Sequence, residues 1–93
     1  MEIQYHRNFM KAFSKLSLKK QTKIKNTIKI FQNNPHDPRL NNHALHGKDA
    51  GKRAISAGGD LRLVFKQENN YQLVIFVRVG SHNQAYNIST LLS

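Results

Sequence analysis

Two strand-like runs in the last third of the chain carry most of the residues able to do chemistry. The first, GGDLRLVFK (Gly58 to Lys66), opens with Asp60 and Arg62; the second, YQLVIFVRVGSHNQAY (Tyr71 to Tyr86), closes with Arg78, His82 and Tyr86. Strands that fold back on one another bring those ends together as a basic site with a histidine and an aromatic ring. Such a set suits RNA cleavage by internal transesterification. A base takes the proton of the 2′-hydroxyl, an acid protonates the leaving 5′-oxygen, and cations stabilise the phosphorane. That chemistry needs no metal, and a histidine titrating near neutrality fits either proton transfer. Arg62 and Arg53 are suited to gripping phosphate oxygens in pairs, and Tyr86 to stacking on a base. Each residue also has a plainer reading: Asp60 and Arg78 as a cross-strand ion pair, His82 as a surface turn residue, Tyr86 as core packing. His43 and His46, with His82, lack the cysteine or carboxylate that would complete a convincing metal set, so no metal or other cofactor is expected.

The chain that must position these groups has 93 residues, enough for a single domain spanning residues 1–93 with one modest core. Its 39% hydrophobic content is that of a soluble globular protein, and it has no cysteine. No apolar run is long enough to span a bilayer and the N-terminus lacks a secretory core, so a cytoplasmic protein with no membrane partner is expected. Charge is the outlier: 15 Lys and Arg against 5 Asp and Glu give a formal +10. A surface of that kind attracts polyanions, nucleic acid first among them, or an acidic protein partner.

Ile3 to Tyr5 reads as a short strand, after which His6-Arg7-Asn8 starts a helix with Phe9, Phe13 and Leu16 on one stripe and Met10 beside them. Ser17 is placed to cap a second helix, Leu18 to Phe31, whose core stripe is Ile24, Ile28 and Phe31 and whose other face carries Lys19, Lys20, Lys23, Lys25 and Lys29. Asn33-Asn34-Pro35 ends it. Pro35 to Gly51 reads as a loop containing NNHALHGK, followed by strands over Lys52–Ala57, Leu61–Gln67 and Tyr71–Val79. Helices followed by an antiparallel meander predict a small α+β domain.

Alternation along the last two strands suggests a register. A three-residue turn at Glu68-Asn69-Asn70 sets Gln67 opposite Tyr71, Arg62 opposite Phe76 and Asp60 opposite Arg78. One face then collects Leu61, Leu63, Phe65, Tyr71, Leu73, Ile75, Val77 and Val79; the other collects the charges with Val64, Val74 and Phe76. At Gly58-Gly59 two geometries remain open. A two-residue turn brings Arg53 to the charged face, whereas a bulge brings Ser56 instead.

The run DLRLVFKQENNYQLVIFVRVGSHNQAY, preceded by NNHALHGKDAGKRAIS, resembles the RelE/ParE superfamily of bacterial type II toxins, and most closely its RelE and YafQ branches. The resemblance covers essentially the whole chain. It implies a strand and two-helix hairpin packed on an antiparallel sheet. It also implies a messenger-RNA interferase acting on the ribosome and an acidic antitoxin partner. Residue by residue, it implies catalytic roles for His43 (in His-x-Leu-x-Gly), Asp60, Arg62 and His82; Arg53, Arg78, Tyr86 and Lys48 are expected to bind RNA. Arg53 falls at a RelE-branch lysine. Two positions depart from the pattern: Ser56 stands for a histidine of the YafQ branch, and a second RelE-branch lysine falls near Ile55. The rival readings are a gyrase-inhibiting toxin of the same fold and an RNA- or ribosome-binding module without catalysis.

Overall fold

The computed structural model describes residues 1–81. Strand β1 (Glu2–Tyr5) leads into helices α1 (Arg7–Ser14) and α2 (Leu18–Asn33), and then come β2 (His43–Ala44), β3 (Arg53–Ser56), β4 (Leu61–Glu68) and β5 (Leu73–Ser81). The five strands form one sheet in the order β1-β5-β4-β3-β2. The α+β expectation holds, with one addition to the sheet. Four strands are antiparallel, but β1 lies parallel to β5, with Ile3 opposite Val74 and Tyr5 opposite Phe76. A parallel pair needs a crossover between its strands, and the helical hairpin begins that crossover. Within the span read as a loop, the chain also makes the two-residue strand β2 and short 3-10 turns at Pro38–Leu40 and Gly47–Asp49. No helix among the described residues is long and apolar enough to cross a membrane.

Both helices start where local chemistry asks them to. The His6 Nδ1 accepts a hydrogen bond from the Asn8 amide (3.0 Å), and Ser17 Oγ accepts one from the Lys20 amide (3.2 Å), each satisfying a donor that the first helical turn leaves open. The apolar stripes of α1 and α2 then cover one face of the sheet. Phe9, Ile24 and Phe31 are buried, with Phe13, Leu16 and Ile28 packed beside them. Phe31 lies at the centre of an aromatic cluster, its ring 5.0 Å from Phe65 and 5.6 Å from Phe76 in edge-on contacts. Met10, grouped with the stripe by spacing, is 52% exposed instead.

The β4–β5 register differs from the expected one. Glu68 pairs with Leu73, so the connection is the four residues 69–72, and Asn69, Asn70 and Tyr71 all have positive φ. Tyr71 is therefore a turn residue at φ +69° rather than the first residue of a strand. It looks strand-like in sequence because its ring is buried against Phe31 and Phe65. That contact compensates for a backbone conformation that aromatic residues rarely adopt.

A second irregularity lies inside β5. Phe65 pairs with Phe76 but Val64 pairs with Arg78, leaving Val77 as an extra residue in a β-bulge. Before the bulge, the even-numbered Val74 and Phe76 face the helices; after it, the odd-numbered Val79 does. The expected faces are corrected accordingly. Val74 and Phe76 belong to the core, Val77 packs on the open face against Ala54 and Val64, Arg62 lies opposite Gly80, and Asp60 is not opposite Arg78. At the other hairpin, Ser56 lies opposite Arg62 across the turn Gly58-Gly59-Asp60, which selects the second of the two geometries left open.

The core assignment predicts the cost of two truncations. Phe76→Ala, which removes a fully buried ring, should lower stability by about 3–5 kcal/mol. Met10→Ala should stay within about 0.5 kcal/mol. Urea denaturation of the two variants checks both figures.

Candidate functional site

The sheet face turned away from the helices carries the chemistry. Residues directly opposite one another in a sheet share a face. His43 opposite Ala54, Ser56 opposite Arg62, and Val64 opposite Arg78 therefore form one surface. Ala54, Val64, Leu45 and Val77 make its apolar floor.

Arg62 is held in a particular way. Its Nη1 donates to the Gly59 carbonyl (2.8 Å), the Leu61 carbonyl (3.1 Å) and Ser56 Oγ (3.3 Å). All three acceptors are neutral and all three bonds leave from one nitrogen. Among the described residues, the edge formed by Nε and Nη2 makes no hydrogen bond and no carboxylate neutralises the guanidinium. Such an edge matches two oxygens of a phosphate. The glycine-rich turn makes this anchoring possible, because Gly58 and Gly59 at φ +100° and +55° direct a carbonyl back toward the strand. Asp60 completes the turn, exposed and without a hydrogen bond or ion pair among the described residues.

His43 sits on the edge strand with its Nδ1 2.8 Å from the Asn41 carbonyl oxygen. A carbonyl only accepts, so Nδ1 carries the proton and Nε2 holds the lone pair of the neutral ring. Asn41, in the left-handed region at φ +48°, turns that carbonyl toward the ring. The preceding 3-10 turn is pinned by Asp37, whose carboxylate accepts from the Arg39 amide and is bridged twice by its guanidinium. The Arg39 side-chain hydrogen bonds hold the Asp37 carboxyl down at about 2.

Several expected residues fall elsewhere. Arg53 lies opposite Phe65, on the helix side of the sheet, and does not join Arg62. Its Nε donates to Asn42 Oδ1 (2.7 Å), while Asn42 Nδ2 donates to the Pro35 carbonyl (2.9 Å) and Tyr71 Oη (3.1 Å). Arg53 thus ties β3 to the loop and the distant turn. Strand alternation is the reason: Arg53 and Ser56 differ by an odd number of residues, so only one of them can share a face with Arg62. Ile55 is fully buried opposite Leu63 in the core, where a lysine would be out of place. Lys48 and His46 are exposed on the loop, and no group of three metal-ligating side chains exists among the described residues. His82 and Tyr86 lie outside the described residues.

Arg78 pairs with Asp49 rather than Asp60. Its Nη2 lies 2.8 Å from Asp49 Oδ1, and Lys52 Nζ approaches the same oxygen at 3.5 Å. Asp49 is only 8% exposed, a buried carboxylate that sequence reasoning passes over. The available signal is an acidic residue inside a basic loop, HGKDAGK, in a chain with only 5 carboxylate side chains.

A five-stranded sheet with a two-helix hairpin on one face and an open basic face on the other is the plan of the RelE-like fold, which solved structures share. A YoeB/ParE toxin from Agrobacterium tumefaciens superposes with a TM-score of 0.73 at 15% identity, covering 88% of this chain and 99% of that one. RelE in the archaeal RelE–RelB complex of Pyrococcus horikoshii OT3 gives 0.70 at 14%, covering 90% and 97%. YafQ from E. coli strain BL21(DE3) gives 0.70 at 27%, covering 86% and 91%. No curated protein matches the sequence at a significant level. The family described as the bacterial toxin YafQ of type II toxin–antitoxin systems matches residues 1–87, and the chain belongs to that family.

Two outcomes test the site geometry. Asp49→Ala should destabilise the protein by about 2 kcal/mol. This is less than for a fully buried pair, because the side chains of Arg78 and Lys52 keep 28% and 24% of their surface exposed. Adding Arg78→Met should recover part of that loss in a urea double-mutant cycle. The second outcome concerns Asp37, whose folded value lies below the ordinary 3.8. Its contribution is therefore present above about pH 4 and fades as pH falls toward about 2, a loss that Arg39→Ala should remove from the acid-unfolding curve.

Proposed function

We propose that this toxin is an endoribonuclease that cuts messenger RNA on the ribosome by 2′-hydroxyl transesterification. The observation that carries the reading is the Nε–Nη2 edge of Arg62, a residue of the open face, without a partner among the described residues while three neutral acceptors hold Nη1. Family membership supports the same class of activity. In this mechanism a base removes the 2′-proton, the 2′-oxygen attacks phosphorus, and the 5′-oxygen leaves with a proton from the acid. The products are a 2′,3′-cyclic phosphate and a free 5′-hydroxyl. His43, through Nε2, takes one of the two proton transfers, and His82 takes the other. Arg62 binds the phosphorane oxygens, where charge grows between ground and transition state. Asp60 assists from the hairpin turn, and Tyr86 stacks on a neighbouring base.

Ser56 replaces an ionisable group on this face. Its hydroxyl accepts from Arg62 and from the Gly58 amide, so it orients the guanidinium without moving a proton. The cleavage step thus relies on fewer acid–base groups than in relatives that carry a histidine there.

The expected partner is an antitoxin, as in the E. coli DinJ–YafQ toxin–antitoxin complex, which matches with a TM-score of 0.68 at 27% identity over 87% of this chain and 91% of that one, and we take it to be acidic. The +10 charge and the open basic face suit such a partner.

With the toxin freed of any partner, Arg62→Ala should reduce the cleavage rate of ribosome-bound mRNA by about 10²–10³-fold while RNA affinity changes little. Arg62→Lys should recover only part of the rate, since an ammonium cannot reproduce the two-point grip. His43→Ala should remove one limb of the pH–rate profile. Wild-type protein that leaves ribosome-bound transcripts intact would overturn the reading. Arrest of growth with unchanged transcripts but damaged DNA would move the assignment to a gyrase inhibitor.

A further inference from the structure

The surface around Arg62 does not exhaust the basic character of this face. Toward its other end, the start of α1, the residue before β3, the middle of β4 and the bulge in β5 enclose an open cleft of about 210 Å³. It is lined by His6, Asn8, Lys52, Lys66, Val77 and Arg78. Lys52, Lys66 and Arg78 bring three positive charges, and Asp49 beneath them brings one negative charge, so 3 − 1 leaves an excess of two. Asp49 holds Arg78 and Lys52 side by side, which two like charges in a partly buried place would otherwise resist.

The donors in the cleft are not all used up by the fold. Arg78 Nη2 is engaged by Asp49 at 2.8 Å and is buried together with Nε, so what these two nitrogens bring to the cleft is charge rather than an open donor. Lys66 is exposed and has no ion-pair partner among the described residues. His6 spends Nδ1 as an acceptor for the Asn8 amide, so its neutral ring carries the proton on Nε2. The groups converging here are therefore donors and cations, with a single carboxylate already engaged. An anion is the ligand they suit.

Position says which anion. Arg62, Val64 and Lys66 alternate on one face of β4, and four residues of strand span about 13 Å. Lys66 is too far from Arg62 to share its phosphate and is placed for another one along the same chain. We propose that the cleft is a second phosphate subsite, which binds a backbone phosphate of the substrate RNA strand flanking the scissile one. The strand then runs along β4 from the Arg62 end toward the Lys66 end. The inference rests on the RNA-cleaving reading above and deepens it by giving the RNA a path.

The test uses the full-length toxin without antitoxin and a single-stranded RNA that carries a 2′-deoxy substitution at the cleavage position, with binding followed by fluorescence anisotropy over a salt series. Lys66→Gln and Lys52→Gln should each make the dependence of log K on log salt shallower by about 0.7, one phosphate contact on a single strand. They should weaken binding equally across sequences, and have no effect on a dinucleotide that spans only the scissile bond. Lys19→Gln on the outer face of α2 should leave the slope unchanged. An unchanged slope in the two cleft variants overturns the proposal. So does an equal effect on the dinucleotide, or an effect seen only with ribosomes, which would make the cleft a contact for ribosomal RNA. Should the slope change although wild-type toxin cleaves nothing, the subsite stands and only the nuclease reading falls. Cleavage by the wild type together with unchanged slopes removes the subsite alone.

Discussion

One extra residue in β5 organises this protein. The bulge at Val77 lets Phe76 and Val79 both face the helices, although their positions differ by three, and it turns Arg78 to the open side opposite Val64. An unbroken strand could not do both. With Phe76 inward, every second residue beyond it would place Arg78 inward too, driving a guanidinium into the aromatic cluster of Phe31, Phe65 and Phe76. The desolvation of such a charge costs more than any strand pairing returns. The bulge therefore separates a dry face that holds the fold together from a charged face that can meet a ligand.

The charged face works because its cations are managed differently. Arg62 is fixed by neutral carbonyls and a hydroxyl, which orient it and leave its charge uncompensated among the described residues. Arg78 is fixed by a buried carboxylate shared with Lys52, which neutralises part of the charge and sets two cations together. Arg53 is taken out of this face altogether and serves as a link between β3, the Asn42 loop and the turn at Tyr71. Three arginines that look alike in sequence thus hold an open edge, a charge cluster and a structural tie. For a protein of charge +10, neutral anchoring of one arginine and ionic anchoring of another is what turns a generally basic surface into distinct positions.

Much of this architecture is legible in the order of residues alone. The helical stripes, the Ser17 cap, the end of α2 before Pro35 and the hairpin at Gly58-Gly59 all follow from contacts within a few residues, and all are present. The assignment to the RelE and YafQ branch rests on the order and spacing of whole segments, and the family match bears it out. The β4–β5 register is not legible in the same way. Val64 and Val77 are apolar on the open face, Phe76 and Val74 are apolar on the core face, and a run apolar on both faces no longer reports its own alternation. Tyr71 misleads for a related reason. Its burial makes it resemble a strand residue, while its backbone belongs to a left-handed turn.

By itself, then, the sequence determined the α+β hairpin-and-sheet plan, the basic character and the kinship, because each depends on local periodicity or on composition. It also brought out Arg62 and His43, which keep their places on one face because β2, β3 and β4 pair without interruption. Only the tertiary structure decided that Arg53 turns inward, that Ser56 supports Arg62, and that Arg78 answers to Asp49. The first two follow from the β3–β4 register; the third hangs on a bulge and on an ion pair between residues 29 positions apart in the chain. Neither leaves a periodic trace, since each is selected by packing against distant segments rather than by neighbours along the backbone.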